Sequence, residues 1–143
     1  MARHDLFEIP IFGSFIRRAG AFPLKRNSAD IGSLKQALRI LKGGRGLLVF
    51  PEGSRSYTGE LSQDAQAGVG FLAVKSQVPV VPAFIEGSQR ALGRGSRFIK
   101  PCKIRIYFGK PVYPDKNVKK DSYGKITNQI MQEINLLSKR GGK

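Results

Sequence analysis

Charged and hydroxyl side chains gather on one short stretch, residues 50–55, which reads Phe-Pro-Glu-Gly-Ser-Arg. Glu52 and Arg55 carry opposite charges, and Ser54 adds a hydroxyl group. The Arg55 guanidinium and the Ser54 hydroxyl are donors that suit phosphate oxygens. Gly53 allows the backbone to turn sharply and to approach a ligand closely. These residue types predict a site for a phosphorylated molecule.

A short apolar run, Leu47–Phe50, leads into this stretch. Its length and its bounding glycine and proline predict a buried strand, which Pro51 ends because proline has no N–H to donate to a sheet ladder. Ligands of open α/β sheets bind beyond the carboxyl ends of strands. We therefore expect Glu52 and Arg55 on a loop at the end of a strand.

The stretch resembles the Phe-Pro-Glu-Gly-Ser/Thr-Arg block of the glycerolipid acyltransferases, above all that of the bacterial 1-acylglycerol-3-phosphate (lysophosphatidic acid) acyltransferases. Three more segments are similar to blocks of that family, in the same order: residues 6–13, 20–26 and 78–82. Several blocks in register make a far more specific signal than one block alone. The resemblance extends to about residue 87, which is most of the chain.

The resemblance implies an α/β fold with a mixed, mainly parallel sheet flanked by helices. It also implies transfer of a fatty acyl group, from acyl-CoA or acyl carrier protein, to a lysophosphatidate-like acceptor in phospholipid synthesis, without a metal or other cofactor. Arg26 would hold the glycerol 3-phosphate group together with Arg55, since a guanidinium group suits phosphate. Glu52 would arrange the acceptor or Arg55. The implied substrate-binding residues are Arg26, Phe50, Pro51, Glu52, Gly53, Ser54, Arg55 and, on the acyl-donor side, Pro82.

The family's catalytic block is missing from the sequence. The family uses a histidine as general base and an aspartate five positions later, in a His-x-x-x-x-Asp motif, to orient the imidazole. The single histidine is His4, the residue five positions later is Ile9, and the neighbouring Asp5 has the wrong spacing. We interpret His4 as a solvated terminal residue and assign no catalytic residue. Two explanations fit the resemblance: an acyltransferase that lacks the N-terminal part of the family domain, which we favour, or a remnant without activity. Either implies a chain impaired in acyl transfer.

The sequence departs from the family pattern a second time, after residues 50–55, which we call the central stretch. Many relatives carry Lys-x-Gly near the start of the next helix, where this chain has Gln66-Ala67-Gly68. If that lysine contacts phosphate or coenzyme A in the relatives, this chain lacks the residue for the same contact.

The chain is strongly basic. Its 143 residues include 25 Lys and Arg against 10 Asp and Glu, a net charge of +15. Such a charge favours anionic partners: a membrane surface, a phosphorylated substrate, an acidic carrier protein or nucleic acid. No helix-turn-helix, zinc-ligand or aromatic RNA-binding signature supports nucleic acid. A non-catalytic protein that binds lipid phosphate or an anionic membrane surface remains an alternative to the enzyme.

Compartment and membrane contact follow from two further features. Cys102 is the only cysteine, which excludes an intramolecular disulfide and favours the reducing cytoplasm. The longest apolar run, residues 78–85, is far short of the roughly 20 residues that span a bilayer. We expect a peripheral protein on the inner face of the cell membrane.

The N-terminal segment allows two interpretations. Residues 6–16 are strongly apolar, and Arg17 and Arg18 follow directly. Apolar helical stripes are usually core, so we favour a core helix interrupted near Pro10. The alternative is an interfacial segment, with its aromatic rings in the bilayer and its arginines at the headgroups.

The remaining pattern predicts one domain, residues 1–138, followed by a disordered basic tail, residues 139–143. Helical spacing begins after a Ser28 N-cap and ends at Gly43 and Gly44. A buried helix over residues 68–74 and strands over 80–85 and 104–108 follow. The last predicted element is an amphipathic helix with the apolar stripe Ile126, Ile130, Ile134 and Leu137.

Overall fold

The computed structural model describes residues 2–24, 31–51, 67–91, 100–119 and 121–141. The fold is α/β, as expected. Its elements, in chain order, are β1 (Ala2–Arg3), a 3-10 turn (His4–Phe7), α1 (Pro10–Arg18), β2 (Pro23–Leu24), α2 (Ile31–Lys42), α3 (Ala67–Ser76), β3 (Ala83–Glu86), α4 (Ser88–Ala91), β4 (Arg105–Phe108) and α5 (Ser122–Gly141).

Helices α3 and α5 form the main core, in which Ile126, Ile130 and Ile134 of the predicted α5 stripe are buried. The fourth residue of the stripe, Leu137, is buried beside Gly109. Ile130 is the most deeply buried of these side chains, at 1% exposure. Gly70 brings the two helices close together, because a Cβ atom at this position would collide with the hydroxyl of Thr127 and the carbonyl oxygen of Tyr123. The buried residues of this first cluster are Val69, Ala73, Val74, Val112, Ile126, Ile130, Met131 and Ile134.

A second cluster joins α2 to α3. Its buried members are Phe22, Ala37 and Leu72, and the leucines of the predicted α2 stripe pack around them. Helix α2 ends as predicted, with Gly44 in the left-handed region at φ 72° and the N–H of Arg45 bonded to the carbonyl of Ile40. Since α3 contributes to both clusters, it fixes α2 relative to α5.

The strands pair in both directions. β1 and β2 are parallel, with Ala2 opposite Pro23, whereas β3 and β4 are antiparallel, with Ile85 opposite Ile106. We call the antiparallel pair of β3 and β4 the hairpin, although α4 lies between the two strands in the chain. One face of the hairpin exposes Ile85, Ile106 and Phe108. The hairpin also packs on α5.

Two expectations about chain segments need correction. Residues 47–50 do not form a strand in the described structure: Leu47 and Val49 are half-buried on the second cluster, but Leu48 and Phe50 are exposed. A continuous apolar run predicts burial on both sides, and the helices cover one side only. The expected tail is helical as far as Gly141, because good helix formers continue α5 and basic residues suit the negative end of a helix.

The favoured core interpretation of the N-terminal segment is also wrong. Helix α1 begins at Pro10, a residue suited to the first helical position, but only its Gly13 is buried. Ile11, Phe12 and Phe15 are exposed.

Candidate functional site

Three predicted site residues lie within the described structure: Phe50, Pro51 and Pro82. The others lie outside the described residues, so their roles stay predictions: Arg26, Glu52, Gly53, Ser54 and Arg55.

Two motifs contain predicted site residues: residues 20–26, with Arg26, and residues 50–55, with Glu52 and Arg55. The chain is anchored in the second cluster close to each of them. Phe22 is buried there, four positions before Arg26, and Val49 packs on the same cluster three positions before Glu52. An extended chain spans at most about 3.3–3.6 Å per residue. The structure therefore anchors the described parts of both motifs on the same cluster between α2 and α3.

Phe50 and Pro51 are the two residues of the central stretch, residues 50–55, that the structure describes. The Phe50 ring is exposed, whereas Pro51 is half-buried in a turn. An exposed aromatic ring next to a predicted phosphate site offers contact area for the apolar part of an amphipathic ligand.

Pro82 is buried in the packing between the hairpin and α5. Its carbonyl oxygen accepts a hydrogen bond from the N–H of Gly109 at 2.8 Å. A Cβ atom on Gly109 would lie 3.5 Å from Cβ of Pro82 and 3.4 Å from Cδ1 of Leu137, so little space separates these residues. Packing accounts for Pro82 in the described structure, and a substrate contact by Pro82 stays a prediction.

The hairpin carries a cluster of three polar residues that no sequence pattern indicates: Glu86, Arg105 and Tyr107. The carboxylate of Glu86 accepts a hydrogen bond from the Tyr107 hydroxyl at 3.0 Å and pairs with Arg105 at 3.4 Å. Desolvation, followed by the hydrogen bond to the Glu86 carboxylate, raises the pKa of Tyr107 above its usual 10.0. The group links the two strands, and only the register of β3 on β4 brings its members together.

The described residues form neither a cluster of metal ligands nor a membrane-spanning helix. No three His, Cys, Asp or Glu residues within the described ranges come close enough to hold a metal ion. No described helix is long and apolar enough to cross a membrane. A shallow depression on α5 contains none of the predicted site residues and is lined by Gln132, Asn135, Leu136 and Lys139.

Comparison with known proteins gives a consistent result. Residues 1–86 match the family model described as Acyltransferase. The chain is 30% identical over 142 residues to the chloroplastic 1-acyl-sn-glycerol-3-phosphate acyltransferase of Brassica napus, covering 96% of this chain and 40% of that protein. It is 30% identical over 140 residues to the 1-acyl-sn-glycerol-3-phosphate acyltransferase of Streptococcus pneumoniae, covering 96% of this chain and 50% of that protein.

A solved structure is similar as well. The 1-acyl-sn-glycerophosphate (LPA) acyltransferase PlsC of Thermotoga maritima superposes with a TM-score of 0.70 at 25% identity, covering 96% of this chain and 55% of that one. The chain thus spans about half the length of the relatives it matches.

Proposed function

Because the chain belongs to the acyltransferase family, we propose that it forms the acceptor-binding part of a 1-acylglycerol-3-phosphate O-acyltransferase of phospholipid synthesis. In the proposed reaction, the free hydroxyl of a lysophosphatidate-like acceptor attacks the carbonyl carbon of an acyl thioester. An ester C–O bond forms, the thioester C–S bond breaks, a base takes the hydroxyl proton and the thiol leaves with a proton. The match over residues 1–86, which include the central stretch and Arg26, carries this proposal.

The acceptor's phosphate is bound, in this proposal, by Arg26 and Arg55. Anchoring of Phe22 and Val49 in one cluster supports it, because the two arginines follow these anchors by four and six positions. Two guanidinium groups can neutralise a phosphate and donate paired hydrogen bonds to it. Glu52 orients Arg55 or the acceptor hydroxyl, and the exposed Phe50 ring contacts the acyl chain.

Catalysis requires a general base, which typically contributes about 10²–10⁴-fold in rate. The only histidine is His4, and it lacks an aspartate at the family spacing. We therefore propose that these 143 residues bind the acceptor but turn over poorly by themselves. We propose no metal or other cofactor, because the base and the bound thioester suffice for acyl transfer.

The donor is acyl-CoA or acyl carrier protein, and the protein acts in the cytoplasm, peripherally on the inner face of the cell membrane. Its net charge of +15 supports this location, because the cytoplasmic leaflet is anionic. The same charge suits coenzyme A phosphates and an acidic carrier protein alike. A purely non-catalytic lipid-binding role is less well supported, since the named relatives are acyltransferases.

Calorimetric titration with lysophosphatidate, below its micelle concentration, tests the phosphate site. Losing a charge-assisted hydrogen bond costs about 1.5–3 kcal/mol, so Arg55→Ala and Arg26→Ala should each weaken binding roughly tenfold or more. Arg39→Ala, an exposed arginine of α2, is the matched control and should bind like the unchanged protein. A monoacylglycerol without phosphate should bind both motif variants equally well. Unchanged lysophosphatidate affinity in Arg55→Ala would contradict the proposal.

Thioester consumption in the presence of lysophosphatidate tests the missing base. We expect no appreciable turnover by the 143-residue chain. Full activity that survives His4→Ala would mean that another side chain acts as the base.

A further inference from the structure

Helix α1 presents large apolar side chains outward. Ile11 is 88% exposed and Phe15 is 67% exposed, and residues four apart lie on one face of a helix. Phe12, which is also exposed, lies beside them, and Ile9 precedes the helix with about half of its surface exposed. We call Ile11, Phe12 and Phe15 the α1 patch.

The opposite side of α1 is fixed by Phe7. Gly13 lies so close to the carbonyl group of Phe7 that no side chain fits between them. The guanidinium group of Arg17 lies 5.4 Å from the centre of the Phe7 ring, and its Nη2 atom donates a hydrogen bond to the Phe7 carbonyl oxygen at 3.3 Å. Because Phe7 is itself buried, these contacts set the orientation in which the α1 patch is exposed.

The charges around the patch favour an anionic partner. Arg17 and Arg18 occupy the last turn of α1, the first turn has no acidic residue, and Arg18 is exposed. Glu8, which precedes the helix, is the only carboxylate between residues 6 and 20. An apolar face flanked by arginine on a strongly basic protein is the pattern of helices that lie in the interface of anionic membranes.

We propose that the α1 patch inserts into the headgroup–acyl boundary of an anionic bilayer, with Arg18 at the lipid phosphates. This inference rests on the proposed membrane-surface location and names the element responsible for it. Helix α1 has nine residues and cannot span a bilayer, so it lies in the plane of the interface. The exposure of the patch reverses the preference for a core helix that the sequence alone suggested.

Flotation with vesicles measures the contribution of the patch. The probes are vesicles of phosphatidylglycerol with phosphatidylcholine, and vesicles of phosphatidylcholine alone. The variant Ile11→Ser/Phe15→Ser should lower binding to the anionic vesicles by about tenfold or more, because two apolar side chains no longer leave water. Ile106→Ser/Phe108→Ser is the matched control, since it removes the same residue types and Phe108 is 70% exposed on β4. The control should bind within about twofold of the unchanged protein.

A fluorescent reporter tests insertion directly. The sequence has no tryptophan, so Phe12→Trp gives a single-site signal. Its emission should shift to the blue on anionic vesicles, whereas emission from Phe108→Trp should not. Arg18→Gln should weaken binding to anionic vesicles at low salt, and the difference should shrink as salt screens the charge.

Several outcomes would overturn the inference. Unchanged vesicle binding by Ile11→Ser/Phe15→Ser refutes insertion of the patch while leaving peripheral membrane association intact. Failure of the unchanged protein to bind anionic vesicles refutes both the insertion of the patch and the peripheral membrane association. The phosphate site is tested separately by the titration of Arg55→Ala. Sedimentation velocity decides a third case: if the double variant abolishes self-association but not vesicle binding, the patch contacts a second copy of the chain. Circular dichroism confirms that each variant is folded.

Discussion

Replacement of Gly70 by alanine should destabilise the protein, against the usual effect of this substitution in a helix. Alanine in a helix interior is about 1 kcal/mol more favourable than glycine. At Gly70, however, the added methyl group would meet the Thr127 hydroxyl and the Tyr123 carbonyl oxygen. The carbonyl belongs to the backbone of α5, so relief requires α3 and α5 to move apart. That movement would loosen the first cluster, including Ile130.

The magnitude follows from these two opposing effects. Overpacking a core typically costs about 1–3 kcal/mol, and a contact with backbone belongs at the upper end of that range. After subtraction of the gain in helix propensity, Gly70→Ala should lower the free energy of unfolding by about 1–2 kcal/mol. For Gly68, two residues earlier in α3, no neighbouring atom of the described residues lies within 4 Å of the place where a Cβ atom would be. Gly68→Ala should therefore raise the free energy of unfolding by about 0.5–1 kcal/mol.

Urea unfolding of the two variants provides the assay. Their midpoints should move in opposite directions while the dependence on denaturant stays constant, which shows that native compactness is preserved. Thermal midpoints should differ by roughly 4–12 °C for a chain of this size. Equal stabilisation by both alanines would refute the close approach of α3 and α5. The double variant Gly70→Ala/Thr127→Ala should stay destabilised, because the Tyr123 carbonyl remains; full rescue would mean that the hydroxyl alone limits the space.

Two further predictions concern the first cluster and the hairpin. Ile130→Ala should cost about 2–5 kcal/mol in unfolding free energy because the side chain is fully buried, whereas Leu136→Ala on the exposed side of α5 should stay within about 0.5 kcal/mol, both by chemical denaturation. Because the pKa of Tyr107 is raised in the folded state, its contribution to stability is complete below about pH 10 and is lost as pH rises through the folded-state pKa. Phenolate absorbance should show an ionisation above pH 10 that Tyr107→Phe removes and Glu86→Gln moves downward.

The helices were predictable from the sequence because their signals are local. The spacing of Ile126, Ile130 and Ile134 identifies α5 and its buried face, and paired glycines mark the end of α2. The prediction of a buried strand over Leu47–Phe50 was wrong because an apolar sequence does not specify which neighbouring element covers each side of it. Covering depends on contacts between residues far apart in the chain, and periodicity contains no information on those contacts.

The candidate site is predicted from residue types and motifs and not from geometry. The motifs identify Arg26 and Arg55, but nothing in their spacing shows that the segments before them meet in one cluster through Phe22 and Val49. The link between Glu86 and Tyr107 was equally inaccessible, because it depends on the register of β3 on β4. The α1 patch is exposed, whereas apolar helical stripes are usually buried, and the core interpretation of this segment relied on that tendency.

The exposed side of the β3–β4 hairpin has a consequence for how the purified protein behaves with added salt. Ile85, Ile106 and Phe108 form an apolar surface on a molecule whose net charge of +15 holds copies apart in dilute buffer. The distance over which that repulsion acts falls from about 10 Å at 0.1 M salt to about 3 Å at 1 M. Attraction between apolar surfaces is not weakened in this way, so solubility should decline as salt is added. Light scattering in dilute and concentrated sodium chloride would show this as a second virial coefficient that changes from positive to negative.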